Sequence, residues 1–243
     1  MRCIWEHNGD DTLLYSADYI GAFTRGENLE TAIEKMQNEV TSYLNWKNDP
    51  ILEDVKVEIV QEKKSDLHIA DADSDVIFED EKNPLTIEEY KQLKNLVLKS
   101  AEDFLKLYQL IPDVEKSCLP ERKTFYGAVP RTAKEMYEHT KNVNAYYFGE
   151  IGIDADNDGN IVECRKRGFE LLEKKDGFLN NEVVEGSYDE LWSLRKMMRR
   201  FLWHDRIHAK AMYRMAVRTF GKDDVENVFK FAGGVECTIT RQL

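Results

Sequence analysis

Between Gly186 and Gly221 the chain contains neither proline nor glycine, and this stretch constrains the fold more than any other. Ser187-Tyr-Asp-Glu190 has the form of a capping box, so a long helix is expected to start there and run to about Arg218. Leu191, Leu194, Met198, Phe201, His208, Met212 and Met215 recur at three- and four-residue spacing, the pattern of a helix that buries one stripe. His204 and His208 are four residues apart, so a helix stacks them one turn above the other. Such a pair has two readings, satisfied core residues or two ligands of one metal ion. Two ligands are too few for a metal site, since catalytic centres commonly take three from the protein and keep a position open. A third ligand must come from another element.

Composition narrows the class. The 243 residues are 42% hydrophobic and 33% charged, as in a well-folded protein with a sizeable core. A net charge of −12 argues against a nucleic-acid partner, which needs a local excess of Lys and Arg against phosphate. No apolar run approaches the roughly 18–20 residues of a membrane span, and Met1-Arg-Cys-Ile-Trp-Glu-His7 lacks the apolar core of a signal peptide. A cytoplasmic protein with no membrane association is expected. Cys3, Cys118, Cys164 and Cys237 are widely separated, which fits reduced, unpaired thiols.

Residues 1–65 read as a small α/β unit. Ile4–His7 and Thr12–Tyr15 flank the turn signal Asn8-Gly-Asp-Asp11, Tyr19 to Thr24 suits a third strand, and Val55–Val60 alternates as a fourth. Between them Asn28 is placed to cap a helix with Ala32, Ile33, Met36, Val40, Tyr43 and Leu44 on its inner face. The phrase from Tyr19 through Met36, with the strands around it, resembles the small HicB-like fold of antitoxins. That resemblance implies a protein-recruiting module. Residues 66–84 are acidic, end at Asn83-Pro84, and read as a linker, with Asp75–Phe78 as one further short strand. His68 stands there among Asp66, Asp71 and Asp73, where a solvated acidic loop is a better reading than a metal cluster.

Residues 85–243 read as a four-helix bundle, making the whole an α+β two-domain chain. Thr86-Ile-Glu-Glu89 is a second capping box, opening a helix with Tyr90, Leu93, Val97, Ala101, Phe104 and Tyr108 inward. A helix from Thr132 to about Ile151 places Met136, His139, Thr140, Val143, Tyr146 and Tyr147 inward, and a shorter one spans about Ile161 to Lys175. The helix with His204 and His208 is the fourth. Three of five histidines, His139, His204 and His208, then face the bundle interior, where unsatisfied polar groups cost about 1–3 kcal/mol each. A shared divalent ion removes that cost.

Arg131-Thr-Ala-Lys-Glu-Met-Tyr-Glu-His139-Thr and Arg200-Phe-Leu-Trp-His-Asp-Arg-Ile-His-Ala-Lys-Ala-Met212, in this order and on these helices, resemble the DinB/YfiT-like superfamily of bacterial metalloenzymes. The resemblance covers roughly residues 85 to 225. It implies that His139, His204 and His208 coordinate a divalent metal, zinc or nickel. It also implies a transferase or isomerase acting on a small-molecule substrate with a low-molecular-weight thiol, and a homodimer. A non-catalytic metal-containing protein, its HicB-like module recruiting an antitoxin-type partner, is the alternative. Asp205 is a candidate to orient an imidazole, or else to form an ion pair with an Arg. Arg199, Arg200 and Arg206 are candidates to hold an anionic substrate. Finally, Asp154, Asp156, Asp158 and Gly159 match the opening of a calcium-binding EF-hand loop, but Arg165 occupies the twelfth position where a bidentate Glu is required, favouring a tight acidic turn.

Overall fold

Gly9, with φ +61°, closes the hairpin between β1 (Arg2–Asn8) and β2 (Asp11–Ser16), which pair antiparallel with Asn8 opposite Asp11. In the computed structural model, which describes residues 1–124 and 127–232, β3 (Phe23–Gly26) adds to β2, and β4 (Glu58–Lys64) runs parallel to β1. The sheet order is β3-β2-β1-β4. The third strand was expected at Tyr19–Thr24, but Tyr19 to Gly21 form a turn closed by the Ala22 N–H to the Tyr19 carbonyl at 2.9 Å. The fourth strand starts three residues later than the Val55–Val60 pattern suggests. α1 (Leu29–Lys47) is capped by Asn28, whose side chain accepts from the Thr31 N–H.

Strand alternation divides the sheet's side chains between two buried faces. Cys3 and Leu14 belong to the core built with Ala32, Met36 and Val40 of α1. Ile4, Leu13, Tyr15 and Phe23 belong to a second cluster with Ile69, Val76, Phe78 and Trp203. Residues 66–84 therefore pack on the sheet as two short 3-10 turns (Ile69–Asp71 and Glu79–Lys82), and Asp75–Phe78 is not a strand. Its backbone is held by side chains instead: the Asp75 and Val76 N–H groups donate to Glu6 and the Val76 carbonyl accepts from Arg199 at 2.7 Å.

Four helices share the larger core: α2 (Ile87–Gln109), α3 (Ala133–Gly149), α4 (Ile161–Leu172) and α5 (Leu194–Phe220). α2 packs against α3, α4 and α5, and α3 against α4 and α5. Capping boxes at Thr86/Glu89, Thr132/Glu135 and Asn160/Glu163 start the first three. α3 and α4 approach closely at Gly168, where a Cβ would overlap the Phe148 ring.

α5 departs from expectation at its start and around its circumference. Ser187 does not cap it. Its N–H donates to Glu150 Oε2 at 2.7 Å, Tyr188 turns to φ +61°, and Leu191–Trp192 pairs antiparallel with Val184–Glu185. Ser193 caps the helix, accepting from the Lys196 N–H at 3.1 Å. Nor is one stripe buried: every residue from Phe201 to Arg206 is. Trp203 faces the sheet, edge-on to Tyr15 and Phe23, while Phe201 packs against Tyr147 and Phe148 of α3.

Because α5 is surrounded, its charges need buried partners. Asp205 accepts from Arg165 of α4 at 2.6 Å, Arg206 donates to Glu39 of α1 at 2.6 Å, and Arg199 grips Glu81 of the 66–84 segment. Lys196 pairs with Glu190 at 2.9 Å and donates to the Asp75 and Leu191 carbonyls. Such pairs add little net stability, but losing one partner leaves an uncompensated buried charge, so each fixes how a neighbouring element seats on α5.

Candidate metal centre

The four-residue spacing on α5 and the packing of α3 against it bring His139, His204 and His208 together. Their ring centroids lie 4.4 Å apart for His204 and His208, 4.6 Å for His139 and His208, and 5.1 Å for His139 and His204. One nitrogen from each ring falls within 4.8 Å of the others. Three nitrogens bound at about 2.0–2.1 Å to one tetrahedral ion lie about 3.4 Å apart, so the rings would have to close by up to about 1.4 Å for one ion to meet all three. Among the described residues no other His, Cys, Asp or Glu joins this group.

Burial grades across the cluster. His204 is 8% exposed, His208 is half-buried, and His139, expected on the inner face, looks out to solvent. The buried stripe of α3 is Met136, Tyr137, Thr140, Asn144, Tyr147 and Phe148, one step round the helix from the anticipated one. It leaves Tyr146 exposed and His139 on the rim. The centre is thus closed by α5 and open on the α3 side.

Desolvation disfavours imidazolium here. Burial pushes His208 down to about 3 and holds His204 well below its ordinary value, helped by His208, His139, Arg200 and Arg165 around it. His139 is lowered by burial as well. All three rings are therefore neutral at pH 7, the form that donates a lone pair to a metal. His204 Nδ1 is buried and has no hydrogen-bond partner among the described residues. Imidazole nitrogen suits zinc, copper, iron and nickel alike, so the three rings could hold a metal without selecting which.

Asp205 does not orient an imidazole; its carboxylate faces Arg165 instead, on the α4 side of α5. Of the three α5 arginines considered for an anionic ligand, Arg199 and Arg206 are occupied by Glu81 and Glu39. Arg200 is different. It lies one turn before His204, donates to the Ser74 carbonyl at 2.6 Å, and has no carboxylate within ion-pair distance among the described residues. Its guanidinium lies over Trp203 at 4.9 Å and near Tyr147 at 5.6 Å, and Tyr147 in turn packs edge-on to His204 at 5.9 Å.

Side chains of the acidic loop are engaged within the protein. Arg167 takes the Asp156 carboxylate and donates to the Asp158 carbonyl at 2.6 Å, while Asn157 ties the loop to α3 through the Ala145 N–H. Asp154, Asp156 and Asp158 do not converge, and neither do His68, Asp66, Asp71 and Asp73; Asp71 pairs with Arg122 at 3.2 Å. Cys3, Cys118 and Cys164 are free thiols, and Cys237 lies outside the described residues. Sequence reasoning missed Arg165, Glu39 and Glu81. Arg165 was legible in principle, since it falls between Cys164 and Phe169 on the apolar side of α4.

No family model, no curated protein and no solved structure matches the chain.

Proposed function

We propose that His139, His204 and His208 hold one divalent ion, zinc or nickel, and that the chain is a metal-dependent enzyme of the thiol-transfer kind that the DinB/YfiT-like resemblance implies. The observation that carries this reading is the convergence of three neutral imidazoles at a place buried on one side and open on the other. When bound, such an ion lowers the pKa of a coordinated thiol or water and so supplies a nucleophile at neutral pH. The histidines hold, and their solvent-facing side leaves access for a small molecule. Tyr147, buried and edge-on to His204 at 5.9 Å, walls the inner side. Arg200, held by the Ser74 carbonyl and without a carboxylate in ion-pair contact among the described residues, would take the anionic end of a substrate one turn from His204. No helix among the described residues is long and apolar enough to cross a membrane.

Elemental analysis of untagged protein tests the proposal. Wild type should carry close to one equivalent of a divalent metal, and His204→Ala should carry none. Loaded wild type should then consume a low-molecular-weight thiol in the presence of a carbon electrophile. Wild type that holds no metal and takes none up overturns the proposal.

A further inference from the structure

A cleft of about 950 Å³ opens between β3, the start of α1 and the outward face of α5 beyond His208. Arg25, Lys35, Arg122, Lys210 and Arg214 line it, against three acidic side chains, Asp11, Glu27 and Glu39. Five cations over three anions is a reversal of sign in a chain whose net charge is −12.

The pairing inside the cleft is uneven. Glu39 already serves Arg206 and Lys210, at 2.6 and 3.0 Å, and Arg122 is taken by Asp71. Arg25, Lys35 and Arg214 have no carboxylate within ion-pair distance among the described residues. Arg25 makes only a 3.5 Å contact with the Ile69 carbonyl, and Lys35 donates to the Arg25 carbonyl at 2.8 Å. The three are also crowded together. Burial lowers the Lys35 ammonium, Glu27 draws it back up, and Arg214, Lys210 and Arg25 push it down as positive neighbours. Glu27, Asp71, Asp11 and Glu39 lie near enough to offset these charges in part, but none of them forms an ion pair with Arg25, Lys35 or Arg214.

Guanidinium and ammonium groups gathered in a concavity without ion-pair contacts match an oxyanion ligand, because Arg and Lys bind phosphate oxygens through short charge-assisted bonds. The cleft is much larger than a phosphate ion and falls in the size range of small-molecule sites, so it has room for an organic portion beside the anion. We infer that this cleft binds a phosphorylated small molecule, its phosphate oxygens held by Arg25, Lys35 and Arg214. The site stands apart from the histidine cluster, none of whose members lines it.

Titration calorimetry with inorganic pyrophosphate, in EDTA so that no metal contributes, tests the inference without depending on the metal centre. The full chain should give saturable binding. Arg214→Gln and Lys35→Gln should each weaken it about tenfold or more, the loss expected for one charge-assisted hydrogen bond. Arg214 is exposed on α5, so its variant should keep the wild-type circular dichroism spectrum. Absence of saturable binding of pyrophosphate by wild type, or equal affinity in both variants, overturns the assignment.

Discussion

Asp205→Ala separates an ion pair that seats α4 on α5 from a carboxylate that orients a histidine. Asp205 and Arg165 are each 0% exposed, joined at 2.6 Å, with the guanidinium stacked 4.1 Å from the Phe201 ring. Arg165 Nε and Nη2 have no other partner, so Asp205 alone neutralises that charge among the described residues. Burial even raises the Asp205 carboxyl above its ordinary value, against the pull of Arg165, which shows how dry the site is. Truncation leaves a buried cation uncompensated, at a cost of about 3–5 kcal/mol. Total stability is only about 5–15 kcal/mol, so the loss should lower Tm by roughly 6–20 °C at this chain length. Asp205→Asn keeps an acceptor without the charge and should fall between. The double variant Arg165→Met/Asp205→Leu should recover most of the loss, because a packed apolar pair replaces a buried ionic one at little net cost. Urea unfolding followed by circular dichroism measures these values, and metal content is measured on the same samples. Folded Asp205→Asn should bind metal as wild type does. A cost under about 1 kcal/mol for Asp205→Ala, or folded Asp205→Asn without metal, would refute the ion-pair account.

Two further outcomes follow from the same geometry. The pKa of His208 is lower in the folded state, about 3, than its ordinary value near 6.5, so above pH 6.5 neither state carries the proton and the group has no effect on stability. Below that, only the unfolded chain takes up the proton, and metal-free protein should lose up to about 2 kcal/mol between pH 6.5 and 5, with His204 adding in the same direction; urea midpoints unchanged across this window would contradict the depressed imidazoles. Gly168→Ala should cost about 1–3 kcal/mol, because the new methyl meets the Phe148 ring where α3 and α4 touch, and unaltered stability on thermal melting would show that the helices can part freely.

How much was legible in the chain differs from element to element. The caps at Asn28 and Thr86 were readable because a cap is a contact within three residues of itself. The pairing of His204 with His208 was readable for the same reason, since helical geometry alone spaces them. Ser187 was expected to start α5, and the start falls instead at Ser193 through contacts far along the chain: Glu150 holds the Ser187 N–H and Val184–Glu185 pairs with Leu191–Trp192. His139 was chosen by helical phase, but its exposure depends on how α3 rolls against α5, a matter of side-chain packing. Asp205 and Arg206 were visible as charges near a buried stripe. Their partners, 40 and 167 residues away at Arg165 and Glu39, were not, because burial on every side of α5 is what obliges each charge to find a counterion. Local hydrogen bonding and periodicity thus determine the helices and the histidine pair, and only the enclosure of α5 by the sheet and the other helices decides which side chains complete the site.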